Sequence, residues 1–386
     1  MRLKFLLIAI SLVGGLGSTA MNTTAGIWVM SLTGSESLAG LVGMGVFLPT
    51  LAGPLLGALA DRLPRRLTLI WTDMAMAIVM LTLLTVREAR QAWLIYLVML
   101  LYGVSHVLGH SAESAILPAL LPQEALGPLN GARTSAREGA KLVAPLLGAG
   151  LFVWQGGHSV ALVCALALTI SALLYARLPQ IVEAPLEHSK GFARQGLHYL
   201  WQHAPIRRPV LAAGLCVALS GAGTAALYAL VAQGLGKPPE FMGVLAAAQG
   251  AGSVIGGIAV GWALRRISET QLAGAGAAIY ATGVLTQTAA AVPTAVTGAA
   301  FIGIGLPLTV IAAMTAVQRL TPPQLLGRVA GTTTTFIFAP VAIAIPLGST
   351  LALGLNYQVI LGCTGSAAIA IATYMFLAGS RSIAAA

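Results

Sequence analysis

His106, His110 and Glu113 follow one another at spacings of four and three residues. On a helix those spacings place the three side chains on one face. Further along, Arg133, Arg137, Glu138 and Lys141 form a second charged group, and Asp73 stands alone. Only 8% of the chain is charged while 57% is hydrophobic, so each of these groups has few candidate counter-ions. Three chemistries are open to them. A carboxyl in apolar surroundings can trade a proton, and a histidine titrates close to neutrality and can relay one. His-x-x-x-His-x-x-Glu on one helical face is also half of a metal site. Packed, hydrogen-bonded histidines are the simpler alternative, and no metal is assigned.

The elements that must position these groups are apolar runs. Mean hydropathy is +0.88, whereas a soluble domain carries about 25% charged residues. The solvent for most of this chain is therefore lipid. A net charge of +10 would point to nucleic acid if the basic residues shared one polar face. They lie instead in short clusters between apolar runs, which excludes that partner. Cys164, Cys216 and Cys363 each fall inside an apolar run, with neither metal-ligand nor disulfide spacing. Met1-Arg2-Leu3-Lys4 and the apolar stretch ending in Ser18-Thr19-Ala20 have the form of a signal peptide. Apolar sequence continues to Val29, which favours a retained first helix.

A spanning helix needs roughly 20 mostly apolar residues. By that measure the chain is an all-α membrane protein with about twelve spans, at 4–32, 37–60, 67–86, 91–120, 129–155, 158–178, 208–235, 240–264, 270–291, 294–319, 328–352 and 356–378. With the N-terminus inside, fifteen of the 21 Lys and Arg residues fall at the inner ends of the spans. Only Arg87, Arg90 and Lys237 fall outside, so both termini are expected to be cytoplasmic, in the cell membrane. The polar segment 179–207, with Glu183, Glu187, His188, Lys190, Arg194 and His198, separates bundles at 1–178 and 208–386. Within it Gly196 to Gln202 is partly amphipathic. A short helix on the inner membrane surface and a plain linker both satisfy that pattern.

An internal repeat supports the division. Gly57, Arg65 and Arg66 recur as Gly257, Arg265 and Arg266, and Leu126-Gly127-x-x-x-Gly131 recurs as Leu326-Gly327-x-x-x-Gly331. Both matches are displaced by 200 positions. Spans four and five, taken as an antiparallel hairpin turning near Ala125, set Glu113 opposite Arg137 and His110 near Lys141. Two readings follow for Glu113–Arg137: a permanent structural bridge, or a carboxylate that exchanges its arginine for a proton. Burial disfavours the charged carboxylate and the arginine favours it, so small movements tip the balance. Asp73, without an evident partner, is the rival proton carrier. Glu138 is expected to pair with Lys141 one turn on.

The stretch Gly53-Pro-Leu-Leu-Gly57-Ala-Leu-Ala-Asp61-Arg62-Leu-Pro64-Arg65-Arg66 resembles the loop between the second and third helices of the major facilitator superfamily. Gly57, Asp61, Arg62, Arg65 and Arg66 match its G-x-x-x-D-R-x-G-R-R pattern, while Pro64 replaces the second glycine and stiffens the turn. The resemblance implies two pseudo-symmetric six-helix bundles and a cytoplasmic gate made by this loop. Ala144-Pro145-Leu-Leu-Gly148-Ala149 is similar to the antiporter motif of drug–proton exporters, with Ala144 and Ala149 in place of glycines. Ala115-Ile-Leu-Pro118-Ala-Leu-Leu-Pro122 and Gln318-Arg-Leu-Thr-Pro322-Pro-Gln-Leu-Leu-Gly327-Arg328 resemble the branch rich in macrolide, drug and siderophore exporters.

What this implies is a secondary active transporter, monomeric and not an enzyme. It would export a small hydrophobic or amphipathic substrate in exchange for protons, with no cofactor beyond that coupling ion. Its substrate cavity would be lined from the middle of the spans by Met21, Asn22, His106, Tyr228, Gln249, Met314 and Phe336. For each of them plain packing is an equal reading. In the eleventh span Thr332 to Thr335 precede Pro340 and Pro346, the pattern of a bending gate or of a merely kinked helix. No P-loop, nucleophile elbow or H-E-x-x-H is present, so the sequence offers no ATPase or hydrolase engine. An importer or uniporter without proton coupling, and a membrane sensor on the same scaffold, are the alternatives.

Overall fold

The structure, a computed structural model, describes residues 2–60, 62–120, 123–179 and 192–383. Capping residues and glycines mark several of the helix ends. α1 (Arg2–Thr33) ends at Gly34, whose φ of +66 suits a residue without a Cβ. Ser35 then caps α2 (Glu36–Leu51), accepting from the Leu38 amide at 3.3 Å. After a break at Ala52 come α3 (Gly53–Ala60) and, behind Pro64, α4 (Arg65–Leu81). α5 (Ala92–Leu120) and α6 (Gln123–Ala176) complete this part.

α6 covers two of the expected spans. At Gly156 the backbone takes φ 76 and ψ −176, which breaks the helix into two limbs. Arg137 and Tyr175, each nineteen positions from Gly156, reach the same carboxylate, so the limbs run antiparallel.

The remaining helices are α7 (Phe192–Gln202), α8 (Ala204–Ala222), α9 (Thr224–Ala229), α10 (Phe241–Ala263) and α11 (Glu269–Gln287). They are followed by α12 (Val292–Leu320), α13 (Pro323–Phe338), α14 (Val341–Leu351) and α15 (Tyr357–Ile383). α7 lies inside the segment read as either surface helix or linker. It is a helix, and it packs on α13 and α8. α8 and the stretch running from α9 through Gly234 meet at a bend of 43°. At α11, Ser268 and Gln271 cap each other reciprocally, at 3.3 and 3.1 Å.

Among the described residues there are no strands, and eight helical stretches are long and apolar enough to cross a membrane, or nine with the bent pair. The stretch at 37–60 is divided at Ala52, and α11, rich in Gly, Thr and Gln, is not among the eight. Trp71, Trp154, Ile258 and Leu353 are between 66% and 77% exposed. Such outward apolar side chains, over helices whose backbone groups are satisfied internally, are what a lipid solvent requires. The chain is a multi-pass membrane protein.

Two compact units form, one from Met1–Glu187 with Pro239–Ala247 and one from His188–Pro238 with Ala248–Ala386. In the first, α6 packs on α1 and α4, and α5 packs on α2 and α4. Met21, Trp28, Met80, Met99 and Phe152 fill one core cluster, and Leu7, Leu69, Ile116 and Tyr175 another. In the second, α11 packs on α12 and α15, and α8 on α12, α13 and α14.

Small residues set the closest approaches. A Cβ on Gly276 would lie 2.8 Å from the Gly305 carbonyl oxygen, and one on Gly283 would lie 2.6 Å from that of Gly298. α11 and α12 thus touch backbone to backbone, the packing that small residues allow inside a membrane. The 200-residue displacement reappears here: Gly103 of α5 meets Val46 and Pro49 of α2, and Gly303 of α12 meets Gln249 of α10.

Gly103→Ala would place a methyl group 2.6 Å from the Val46 oxygen and 2.7 Å from that of Gly45. It is expected to destabilise the protein by about 1–3 kcal/mol. Gly257→Ala, which meets nothing within 4 Å, is expected to be neutral or mildly stabilising. Thermal unfolding in detergent compares them, and equal melting temperatures would refute the close-packing assignment.

Candidate functional site

Four helices bring their polar residues to one place inside the first unit. α5 supplies Glu113, and the first limb of α6 supplies Arg133 and Arg137, one turn apart. Arg137 Nη2 donates to Glu113 Oε2 at 2.6 Å, and Arg133 Nη2 pairs with Glu113 Oε1. Tyr175 on the second limb donates its hydroxyl to Oε1 at 3.1 Å. Arg133 is held from its other side by Ser11 of α1, Nε to Oγ at 2.9 Å. Glu113 and Arg133 are 6% and 5% exposed, and no other charged side chain is buried among the described residues. Arg137 is different, since 41% of its side chain is accessible.

Asp73 of α4 belongs to the same cluster. It is half-buried and hydrogen-bonded to Ser171, one helical turn before Tyr175, and it lies close enough to Glu113 for their charges to interact. Glu138 and Lys141 pair with each other at 2.7 Å on a more open face. His106 and His110 are exposed, with rings 6.4 Å apart, and Tyr102 lies a further 6.3 Å along α5. Among the described residues no three of His, Cys, Asp and Glu gather as a metal site.

In the charged loop, Asp61 lies outside the described residues. Gly57 sits in α3 and Arg62 is exposed in the turn. Arg65 opens α4, and beside it Arg66 donates to the Ala176 carbonyl at the end of α6. A cation there meets the negative end of the helix dipole. Ala144 and Pro145 are buried, and a Cβ on Gly148 would lie 2.8 Å from Thr24 Oγ1 and 3.1 Å from the Ala20 oxygen. These small residues seat α6 against α1.

Of the residues expected to line a cavity, Met21 is in the first unit's core and Tyr228 is buried in α9. Asn22 is exposed, and Gln249 and Met314 are half-buried. Phe336 lies 6.1 Å from Trp201 and lines a recess of about 750 Å³ with Gln195, Leu197 and His198. Sequence reasoning did not single out Ser11, Ser171, Tyr175 or Trp201. The only signal for Ser171 and Tyr175 was two polar residues four apart in an apolar span.

Fold and site together define a multi-pass helical membrane protein with an ionic cluster inside one of its two units. A family model described as Major Facilitator Superfamily matches residues 7–344, and the chain belongs to that superfamily. An uncharacterised MFS-type transporter of Bacillus subtilis (strain 168), YfiS, is 27% identical over 228 residues, covering 56% of this chain and 53% of that protein. Macrolide efflux protein A of Enterococcus faecalis is 26% identical over 165 residues, covering 42% of this chain and 50% of that protein. The chain spans about half the length of these curated relatives.

Solved structures share the fold over almost the whole chain. The nucleoside transporter NupG aligns at a TM-score of 0.72 and 13% identity, covering 98% of this chain and 99% of NupG. A bacterial homologue of the iron transporter ferroportin aligns at 0.70 and 16% identity, covering 97% and 98%. A POT family transporter aligns at 0.78 and 11% identity, covering 98% and 96%.

Removing one partner of a buried ion pair strands the other charge, at a cost of about 3–5 kcal/mol. Arg133→Ala is therefore expected to lower thermal stability in detergent sharply. Glu113→Gln combined with Arg133→Met should recover much of the loss. Lys141→Ala removes an exposed pair and should change stability by about 1 kcal/mol or less. Equal melting temperatures for Arg133→Ala and Lys141→Ala would show that the cluster does not hold the unit together.

Proposed function

We propose that this chain is a proton-coupled antiporter that exports hydrophobic or amphipathic small molecules from the cytoplasm by alternating access. The observation that carries the reading is the buried Glu113–Arg133 pair in the first unit, with Arg137 and the half-buried Asp73 beside it. Charges inside a membrane are expensive and are functional by default, proton relays being one of their principal uses. On this reading one of the two carboxyls, Glu113 or Asp73, carries the proton, and His106 and His110 are candidate relays. Export rather than import is supported by the similarity to macrolide efflux protein A and by the motif at Ala144, Pro145 and Gly148.

On this reading both termini lie in the cytoplasm and the chain in the cell membrane, and the bias of Lys and Arg toward one side of the spans supports that orientation. The loop at Gly57, Asp61, Arg62, Arg65 and Arg66 then closes the cytoplasmic side in one half of the cycle. The apolar and amide character of Met21, Asn22, Tyr228, Gln249, Met314 and Phe336 suits a lipophilic substrate better than a sugar. The protein works as a monomer and needs no cofactor other than the coupled proton.

Proteoliposomes with an imposed pH gradient, loaded with a panel of lipophilic dyes and macrolides, test the reading. Substrate movement should follow the gradient and collapse when a protonophore is added. Movement that ignores the gradient would identify a facilitator. Binding without any flux would identify a sensor on a transporter scaffold.

A further inference from the structure

The two carboxyls of the cluster are held in opposite ways. Glu113 accepts from Arg133, Arg137 and Tyr175 at once, and Arg133 is itself fastened to Ser11. Two guanidiniums therefore converge on one carboxylate, the geometry of strong, charge-assisted hydrogen bonds. Asp73 has a hydroxyl for a partner, and among the described residues no Lys, Arg or His makes an ion pair with it.

Asp73 is hydrogen-bonded to the Ser171 hydroxyl of α6 and lies within electrostatic range of Glu113 and Tyr102 of α5 and Tyr175 of α6. On its own helix, Arg66 is directed to the Ala176 carbonyl. Asp73 is half-buried and its carboxylate has no counter-ion of its own among the described residues, whereas Glu113 is engaged by two arginines.

We infer that Asp73 takes up and releases the coupling proton while Glu113 is a fixed ionic anchor that sets the field around it. The inference rests on the proton-coupled reading. When the Asp73 carboxylate binds a proton from one aqueous side, the cluster passes from neutral to a net charge of +1. Release of that proton as hydronium to the other side restores neutrality. Tyr175 and Ser171, one turn apart on the same limb of α6, are positioning residues, because they tie both carboxyls to one rigid element.

Infrared difference spectra between acidic and alkaline buffer test the assignment on the purified full-length protein, without substrate or flux. A non-hydrated protonated carboxyl absorbs apart from hydrated ones. Wild type should show that band appearing on acidification. Asp73→Asn should lack it, and Asp73→Glu should keep it. Glu113→Gln should also keep it, with the Glu113→Gln, Arg133→Met pair as the better-folded control. Absence of the band from wild type, its survival in Asp73→Asn, or its loss in the Glu113 variants would each overturn the assignment. In proteoliposomes, Asp73→Asn should reduce gradient-driven flux to the level seen without a gradient. Wild-type flux that ignores the gradient would refute the proton-coupled reading instead, and the infrared result would stand separately.

Discussion

Glu113 bound between Arg133 and Arg137 is the interaction on which the first unit depends. A charged side chain near the centre of a bilayer costs about 2.5–3.5 kcal/mol on insertion scales, and water is not there to offset it. The structure answers by collecting the charges at one point and letting several helices share them. α5 gives the acid, the first limb of α6 gives the bases, the second limb gives Tyr175, and α1 gives Ser11. Packing follows the same lines: α1 and α4 lie on α6, and α4 also lies on α5. Ionic satisfaction and helix packing therefore select one arrangement together.

The second unit reaches its arrangement by shape. Its buried polar side chains among the described residues are uncharged, such as Ser253, Gln287, Thr309 and Thr333. α11 and α12 approach through facing glycines, and α7 docks on α13 where a Cβ at Gly196 would lie 2.5 Å from the Arg328 oxygen. Only glycine permits such contact between backbones, so these positions determine how closely the helices sit. Duplicated halves can in this way diverge in chemistry while keeping the close approaches at Gly103 and Gly303.

What could be read from the chain follows from which relations are local. The Glu113–Arg137 contact was legible because an antiparallel hairpin with one short turn fixes depth on both of its helices. Arg133 was one turn nearer the loop, and its reach to the same carboxylate depends on guanidinium length rather than on register. Ser171 and Tyr175 could not be placed, since the register of the second α6 limb is set by tertiary packing that periodicity does not encode. The break at Gly156 was legible only as a boundary between apolar runs; that a single φ of 76 achieves it was not. The repeated glycines noticed in the sequence included Gly257, where an added Cβ would meet nothing within 4 Å, whereas the crowded pair at 103 and 303 lay unmarked within apolar runs.

A cluster of this kind is not explained by stability alone. Replacing a buried ion pair with well-packed apolar residues is often neutral or stabilising, by about 1–4 kcal/mol in the cases known. In a membrane the comparison tilts further against charge, because lipid solvates an apolar side chain without penalty. If Glu113 and its arginines served only to pin α5 to α6, leucines or facing glycines of the α11–α12 kind would do it more cheaply. The second unit makes that comparison within the same chain, since it packs without a buried ion pair among its described residues. Charge in the first unit is therefore kept for something that packing cannot supply, and on the proposed reading that is the field around Asp73.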